Sequence, residues 1–139
     1  MDKILIDTNV ILDFFFDRKP FSENASKILS LCEKKKLKGF VTPVMVSNVY
    51  YLLRKTAGHK KVIESLKQLL SIVDVAIINK ATVLEALNSN FKDFEDALQN
   101  FSAPNEKEIK IIITRNTKDY TTGSLPIMTP EAYLKAIEA

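Results

Sequence analysis

Ile4-Leu5-Ile6-Asp7-Thr8-Asn9-Val10-Ile11-Leu12 is the stretch that decides how this chain is read. Its first three residues are apolar without alternation, the character of a strand covered on both faces, and an acid stops them. Asp7-Thr8-Asn9 then offers helix-capping side chains ahead of Val10-Ile11-Leu12 and Phe14-Phe15-Phe16. The spacing predicts a strand over 3–6 passing directly into a helix, with Asp7 at the junction.

The same alternation continues along the chain. Pro20 and Ser22 open a second helix running to about Lys36, with Ala25, Ile28, Leu29 and Cys32 at helical spacing, before Lys38-Gly39 break it and Phe40-Val41-Thr42 forms a strand. Thr42-Pro43 suits a cap and first helical position, so residues 43–56 should form a helix presenting Val46, Val49, Tyr50 and Leu53 to the core. Beyond Gly58, residues 59–70 place Val62, Ile63, Leu66, Leu69 and Leu70 on one face, and the β-branched run from Ile72 to Ile78 reads as a third strand. Helices are expected over 80–89 and 92–103, a clear strand at Ile109–Ile113, a polar loop from Thr114 to Tyr120, a short strand Pro126-Ile127-Met128, and a last helix capped by Thr129-Pro130-Glu131.

Apolar strands separated by helices call for a mostly parallel sheet covered on both faces, hence an α/β fold built as a three-layer α/β/α sandwich. A chain of 139 residues has room for one domain, over 1–139, and a hydrophobic share of 46% beside 27% charged residues excludes disordered and membrane classes. The N-terminal segment meets an acid too early for a signal peptide and no apolar run spans a bilayer, so a cytoplasmic protein with no membrane association is expected. One cysteine and one histidine exclude an internal disulfide and a Cys/His zinc site. The formal charge of +3 permits a nucleic-acid partner without requiring one, and the clusters Lys34-Lys35-Lys36-Lys38, Arg54-Lys55 and Lys60-Lys61 read equally as solvated helix faces.

Ligands of such sheets bind beyond the carboxyl ends of the strands, where Asp7 and the 114–120 loop fall. Asp93 and Asp96, three apart at the start of a helix, and Asp119, just past a strand, have the placement to converge with Asp7. Carboxylates gathered at one point repel unless a cation neutralises them, and an all-oxygen donor set suits Mg2+ or Mn2+, which can drive in-line hydrolysis of a phosphodiester. Each acid also has a plainer role: Asp7 as a helix cap, Asp93 or Asp96 at a positive helix N-terminus, Asp119 as a turn residue.

Three motifs in order, Ile4-Leu5-Ile6-Asp7-Thr8-Asn9-Val10, Asp93-Phe94-Glu95-Asp96-Ala97-Leu98 and Ile113-Thr114-Arg115-Asn116-Thr117-Lys118-Asp119-Tyr120 with Met128-Thr129-Pro130-Glu131, resemble the PIN-domain family, specifically VapC-like toxins. The resemblance covers the whole chain. It implies a metal-dependent endoribonuclease, the toxin of a type II toxin-antitoxin pair, holding Mg2+ or Mn2+ with Asp7, Asp96 and Asp119 as catalytic ligands, Asp93 beside them, and Asn9, Asn48, Thr114 and Asn116 in support. RNA as substrate, with Arg54, Lys55 and Arg115 on its backbone, a homodimer, and a cognate antitoxin protein over the acidic pocket follow from the same resemblance. Phe14-Phe15-Phe16 and Tyr50-Tyr51 are candidates for partner contacts, or else core. One departure stands out, because relatives usually carry a glutamate where this chain presents Asn48, and an amide brings no negative charge to a metal.

That departure keeps a second reading open, a catalytically weak or inactive PIN-like module that binds RNA or a protein partner. A haloacid dehalogenase phosphatase would want an aspartate where Asn9 stands, and a receiver domain would want one within residues 34–73, which contain none.

Overall fold

The computed structural model describes residues 1–102, 109–120, 123 and 125–138. Its elements are β1 (Asp2–Ile6), α1 (Thr8–Phe15), α2 (Ser22–Glu33), β2 (Leu37–Val41), α3 (Pro43–Leu53), α4 (His59–Leu70), β3 (Val73–Val75), α5 (Lys80–Leu87), α6 (Phe94–Ser102), β4 (Ile109–Ile113), β5 (Ile127–Met128) and α7 (Pro130–Glu138), with a 3-10 turn at Thr117–Tyr120 ahead of β5. The strands form one five-stranded sheet in the order β3-β2-β1-β4-β5. Every pairing in it is parallel. The expected α/β sandwich with a parallel sheet is therefore what the chain forms.

The middle of the sheet shows why apolar runs without alternation were informative. Ile4, Leu5 and Ile6 of β1 and Ile112 and Ile113 of β4 are wholly buried, because both faces of these strands are covered. β1 pairs with β4 in a register that sets Ile6 opposite Ile113, so the two strands end level. Chain order runs outward from β1 to β2 and β3 on one side and through β4 to β5 on the other. The right-handed crossover rule then puts the α1–α2 and α5–α6 connections on opposite faces, and the reversal leaves a crevice above the carboxyl ends of β1 and β4.

Several boundaries differ from the sequence reading. α2 ends at Glu33 rather than Lys36, and β2 begins at Leu37, so Gly39 belongs to the strand instead of breaking the helix. The reason is packing: a Cβ at Gly39 would lie 2.8 Å from Cys32 Sγ and 2.9 Å from Ile6 Cδ1, so only glycine lets α2 approach the sheet this closely. β3 is three residues long, not the whole of 72–78, because its pairing with β2 spans only Gly39–Val41 against Val73–Val75. α3 stops at Leu53 and α5 at Leu87, while α6 starts at Phe94; residue 103, the expected end of that helix, lies outside the described residues. Leu70, expected in the core, is exposed, as are Phe14 and Tyr51, whereas Phe15, Phe16, Val46 and Tyr50 pack partly against the core. Cys32 is buried, and burial pushes its thiol up to about 11, which leaves it an inert core residue. Among the described residues no helix is long and apolar enough to cross a membrane.

Candidate acidic site

Asp7 leaves β1 with its backbone N–H bonded to Ile113 O of β4 at 2.9 Å, which fixes its carboxylate above the crevice. It also performs the plain role: as N-cap of α1 it accepts from Thr8 N at 2.7 Å through Oδ1. Its other oxygen, Oδ2, accepts from the Thr114 hydroxyl at 2.8 Å. Thr114 is fully buried at the end of β4 and is itself a junction, accepting from Asn9 Nδ2 at 3.2 Å and from Asn116 N at 3.0 Å. Asn9 Oδ1 accepts in turn from Arg115 N at 3.3 Å. Asp7, Asn9, Thr114 and Asn116, far apart in sequence, are thus one hydrogen-bonded group across the β1–β4 junction.

Asp96 comes to this group from α6. Its N–H donates to Asp93 Oδ1 at 3.0 Å, so Asp93 is the cap of α6 and stands exposed, with one oxygen already engaged. Asp96 is half-buried, and burial pushes its carboxyl up to about 7, reinforced by the charges of Asp93, Asp7 and Asp119. Burial likewise raises Asp7, against the lowering effect of its hydrogen bonds from Thr114 and Thr8, and Asp119 adds to the rise. Asp119 is exposed in the 3-10 turn, close enough to be felt by both. Four acids therefore share one electrostatic neighbourhood, and two of them hold their protons more tightly than an ordinary carboxyl does.

Tyr120, which closes the 3-10 turn and is 1% exposed, reaches into the same neighbourhood. Its hydroxyl donates to Gln99 Oε1 on α6. Burial, with the nearby charges of Asp7 and Asp96 after it, pushes the phenol far up, so it remains a neutral donor. The sequence reading missed Tyr120 and Gln99; a buried polar residue directly after the last acid of a motif is the signal that would have found Tyr120.

Sequence reasoning also missed Asp13. It is 1% exposed, one turn after Asn9 inside the apolar face of α1, and an acid in such a position needs a dedicated partner. That partner is Arg115, whose Nε donates to Asp13 Oδ2 at 2.6 Å and Nη2 to Oδ1 at 3.0 Å, with the guanidinium 4.0 Å from the Phe21 ring centroid. Arg115, expected on the RNA backbone, has its Nε and Nη2 taken up by Asp13, and the pair anchors the 114–116 loop to α1. Arg54 and Lys55 follow α3 and lie about 9 Å along the helix axis beyond Asn48, outside the acidic group. Arg54 Nη1 donates to Ala57 O at 3.0 Å, and both side chains are exposed.

Asn48 occupies the exposed face of α3 and donates through Nδ2 to Glu95 Oε2 at 2.9 Å. A carboxylate is therefore present beside Asn48, carried by the first turn of α6 rather than by α3.

The donor set fits a hard divalent cation: several oxygens, no sulfur or imidazole, and mutual repulsion that a cation would relieve. Among the described residues no group of three or more acidic, His or Cys side chains stands at ligand distance of a common point.

A profile of the PIN domain matches residues 3–118. This chain belongs to the PIN domain family. Among curated PIN relatives, Ribonuclease VapC1 of Aquifex aeolicus (strain VF5) is 28% identical over 137 residues, covering 95% of this chain and 93% of its own. The toxin-antitoxin complex from Klebsiella pneumoniae contains a chain of the same fold, with a TM-score of 0.68 at 23% identity over 91% of this chain and 97% of that one. VapBC-1 from nontypeable Haemophilus influenzae gives a TM-score of 0.67 at 14% identity over 93% and 98%. The acids Asp7, Asp96 and Asp119 thus stand at the crevice of a PIN fold.

Proposed function

We propose that this PIN-domain chain, acting as one domain, is a metal-dependent endoribonuclease and the toxin of a toxin-antitoxin pair. The observation that supports the reading is the hydrogen-bonded group of Asp7, Asn9, Thr114 and Asn116 at the β1–β4 switch point, with the charges of Asp96 and Asp119 close by. Asp7, Asp96 and Asp119 would hold Mg2+ or Mn2+, with Asp93 at the margin; when bound, such an ion lowers the pKa of a water and polarises a phosphodiester. The chain's own contribution is positional. Thr114 and the Thr8 N–H hold the two Asp7 oxygens, Asn9 and Asn116 hold Thr114, and the Arg115–Asp13 pair keeps that loop on α1. Arg54 and Lys55, exposed at the end of α3, are the cations proposed for the RNA backbone. The relatives support the reading with a ribonuclease name in one and toxin-antitoxin complexes in others; a cognate antitoxin, a homodimer and a cytoplasmic location complete the proposal.

A catalytically silent PIN module that binds RNA or protein is the second reading, favoured by Asn48 and by the side chains not standing at ligand distance. Cleavage of a labelled mixed RNA pool with Mg2+, Mn2+ or EDTA, beside an Asp7→Asn/Asp96→Asn double variant, separates the two. Metal-dependent cutting that the variant lacks supports the nuclease; no cutting by folded wild-type protein under any metal moves the silent module to first place.

A further inference from the structure

We propose that the cavity between the start of α2 and the start of α7 is a nucleobase site, where one unpaired base of a single-stranded RNA stacks on Phe21 while its strand crosses the acidic crevice. The proposal rests on the RNA reading above and names where that RNA is gripped.

The cavity has a volume of about 480 Å3, within the range of small-ligand sites, and its lining includes Pro20, Phe21, Asn24, Arg115, Thr129 and Glu131. Arg115 comes from the loop after β4, and Thr129 directly follows β5, so the cavity lies at the carboxyl edge of the sheet, where ligands of such folds bind. It also shares a loop with the acidic group. Thr114, the neighbour of Arg115, donates to Asp7 Oδ2, and Arg115 N donates to Asn9 Oδ1.

Phe21 is the unusual member of this lining. It is the N-cap of α2, a position that favours a short polar side chain, and it makes no capping bond; 42% of it is exposed. Neither the helix nor the core therefore accounts for an aromatic ring here. One face of the ring carries the Arg115 guanidinium, 4.0 Å from the centroid, and Asp13 holds that guanidinium through two bonds of 2.6 and 3.0 Å. The ring is thus backed by a buried ion pair, and its remaining surface faces the cavity. Aromatic rings and guanidinium planes are the groups on which unpaired bases stack.

The charges select a base over a phosphate. Nε and Nη2 of Arg115 are engaged by Asp13, so the paired fork that grips a phosphate is taken, and Glu131 adds a carboxylate to the lining. Asn24, with an amide that both donates and accepts, suits the edge of a heterocycle.

The chain contains no tryptophan, so Phe21→Trp places a single indole at the cavity. It is made in the Asp7→Asn/Asp96→Asn background and studied in EDTA, which stops cutting and removes two carboxylates that repel RNA. Indole emission should be quenched on titration with a short single-stranded RNA of mixed sequence, and not with an abasic RNA of the same length and charge. Phe21→Leu in the same background keeps an apolar side chain without a π face; it should melt with its parent and bind the labelled RNA about tenfold more weakly, the factor of one lost stacked base. Equal binding by parent and Phe21→Leu, or equal quenching by the abasic RNA, overturns the nucleobase site, leaves the cavity to a protein partner and leaves the RNA reading standing. If Phe21→Leu melts early, the quenching comparison alone decides. If the parent binds no RNA, the RNA reading fails and the inference with it.

Discussion

Removing the guanidinium in Arg115→Met separates a structural from an RNA-binding role for the cation that follows Thr114 at the end of β4. Asp13 has 1% of its side chain exposed and Arg115 27%, so the pair is removed from bulk water and held by two bonds of 2.6 and 3.0 Å. Breaking a buried pair by deleting one partner typically costs about 3–5 kcal/mol, because the remaining charge stays buried. Arg18, 3.6 Å from Asp13 Oδ1 but 42% exposed, supplies partial compensation, which argues for the lower end, about 3 kcal/mol. For a chain of 139 residues the unfolding entropy is about 0.29 kcal/mol/K, so the melting temperature should fall by about 10 °C. Urea unfolding at fixed protein concentration should give the same loss with an unchanged m-value, and an Asp13→Leu/Arg115→Met double variant should recover much of it, since no orphaned charge remains. A variant that melts within a degree or two of wild type, but binds RNA with its salt slope reduced by about one, would refute this reasoning and return Arg115 to the phosphate backbone.

Two other outcomes follow from the acids. Burial pushes the Asp96 carboxyl up to about 7 and also raises Asp7, so both favour the folded state most where they are protonated in it. In EDTA their contribution is complete below about pH 4 and is lost as pH rises through about 7; melting between pH 5 and 8 should show a decline that Asp96→Asn reduces. Asn48→Glu replaces the amide donor to Glu95 with a second carboxylate, so the metal-free Tm should drop and the Mn2+-induced rise should grow, both read in the same melting titration.

The crevice itself was legible from local pattern, because an apolar run ending in an acid reports two facts at once: a strand buried on both faces and a polar group at its carboxyl end. The same holds for Ile109–Ile113 with Thr114, and for Thr129-Pro130 opening α7, where Ala132 N donates to Thr129 Oγ1 at 3.1 Å. Boundaries were less legible where long-range contacts set them, as at Gly39, which reads as a helix breaker until Cys32 and Ile6 are seen against it.

Sequence alone determined the α/β class, the strand-helix order and the acids to consider, because periodicity and capping are properties of neighbours along the chain. Only the tertiary structure decided which of those groups meet: that Thr114 serves Asp7 across 107 positions, that Arg115 belongs to Asp13 rather than standing free, that the carboxylate beside Asn48 comes from α6, and that the Tyr120 hydroxyl is held by Gln99. Each of these depends on strand order and helix placement, and a hydrogen bond a few ångströms long leaves no trace in the spacing of residues a hundred positions apart.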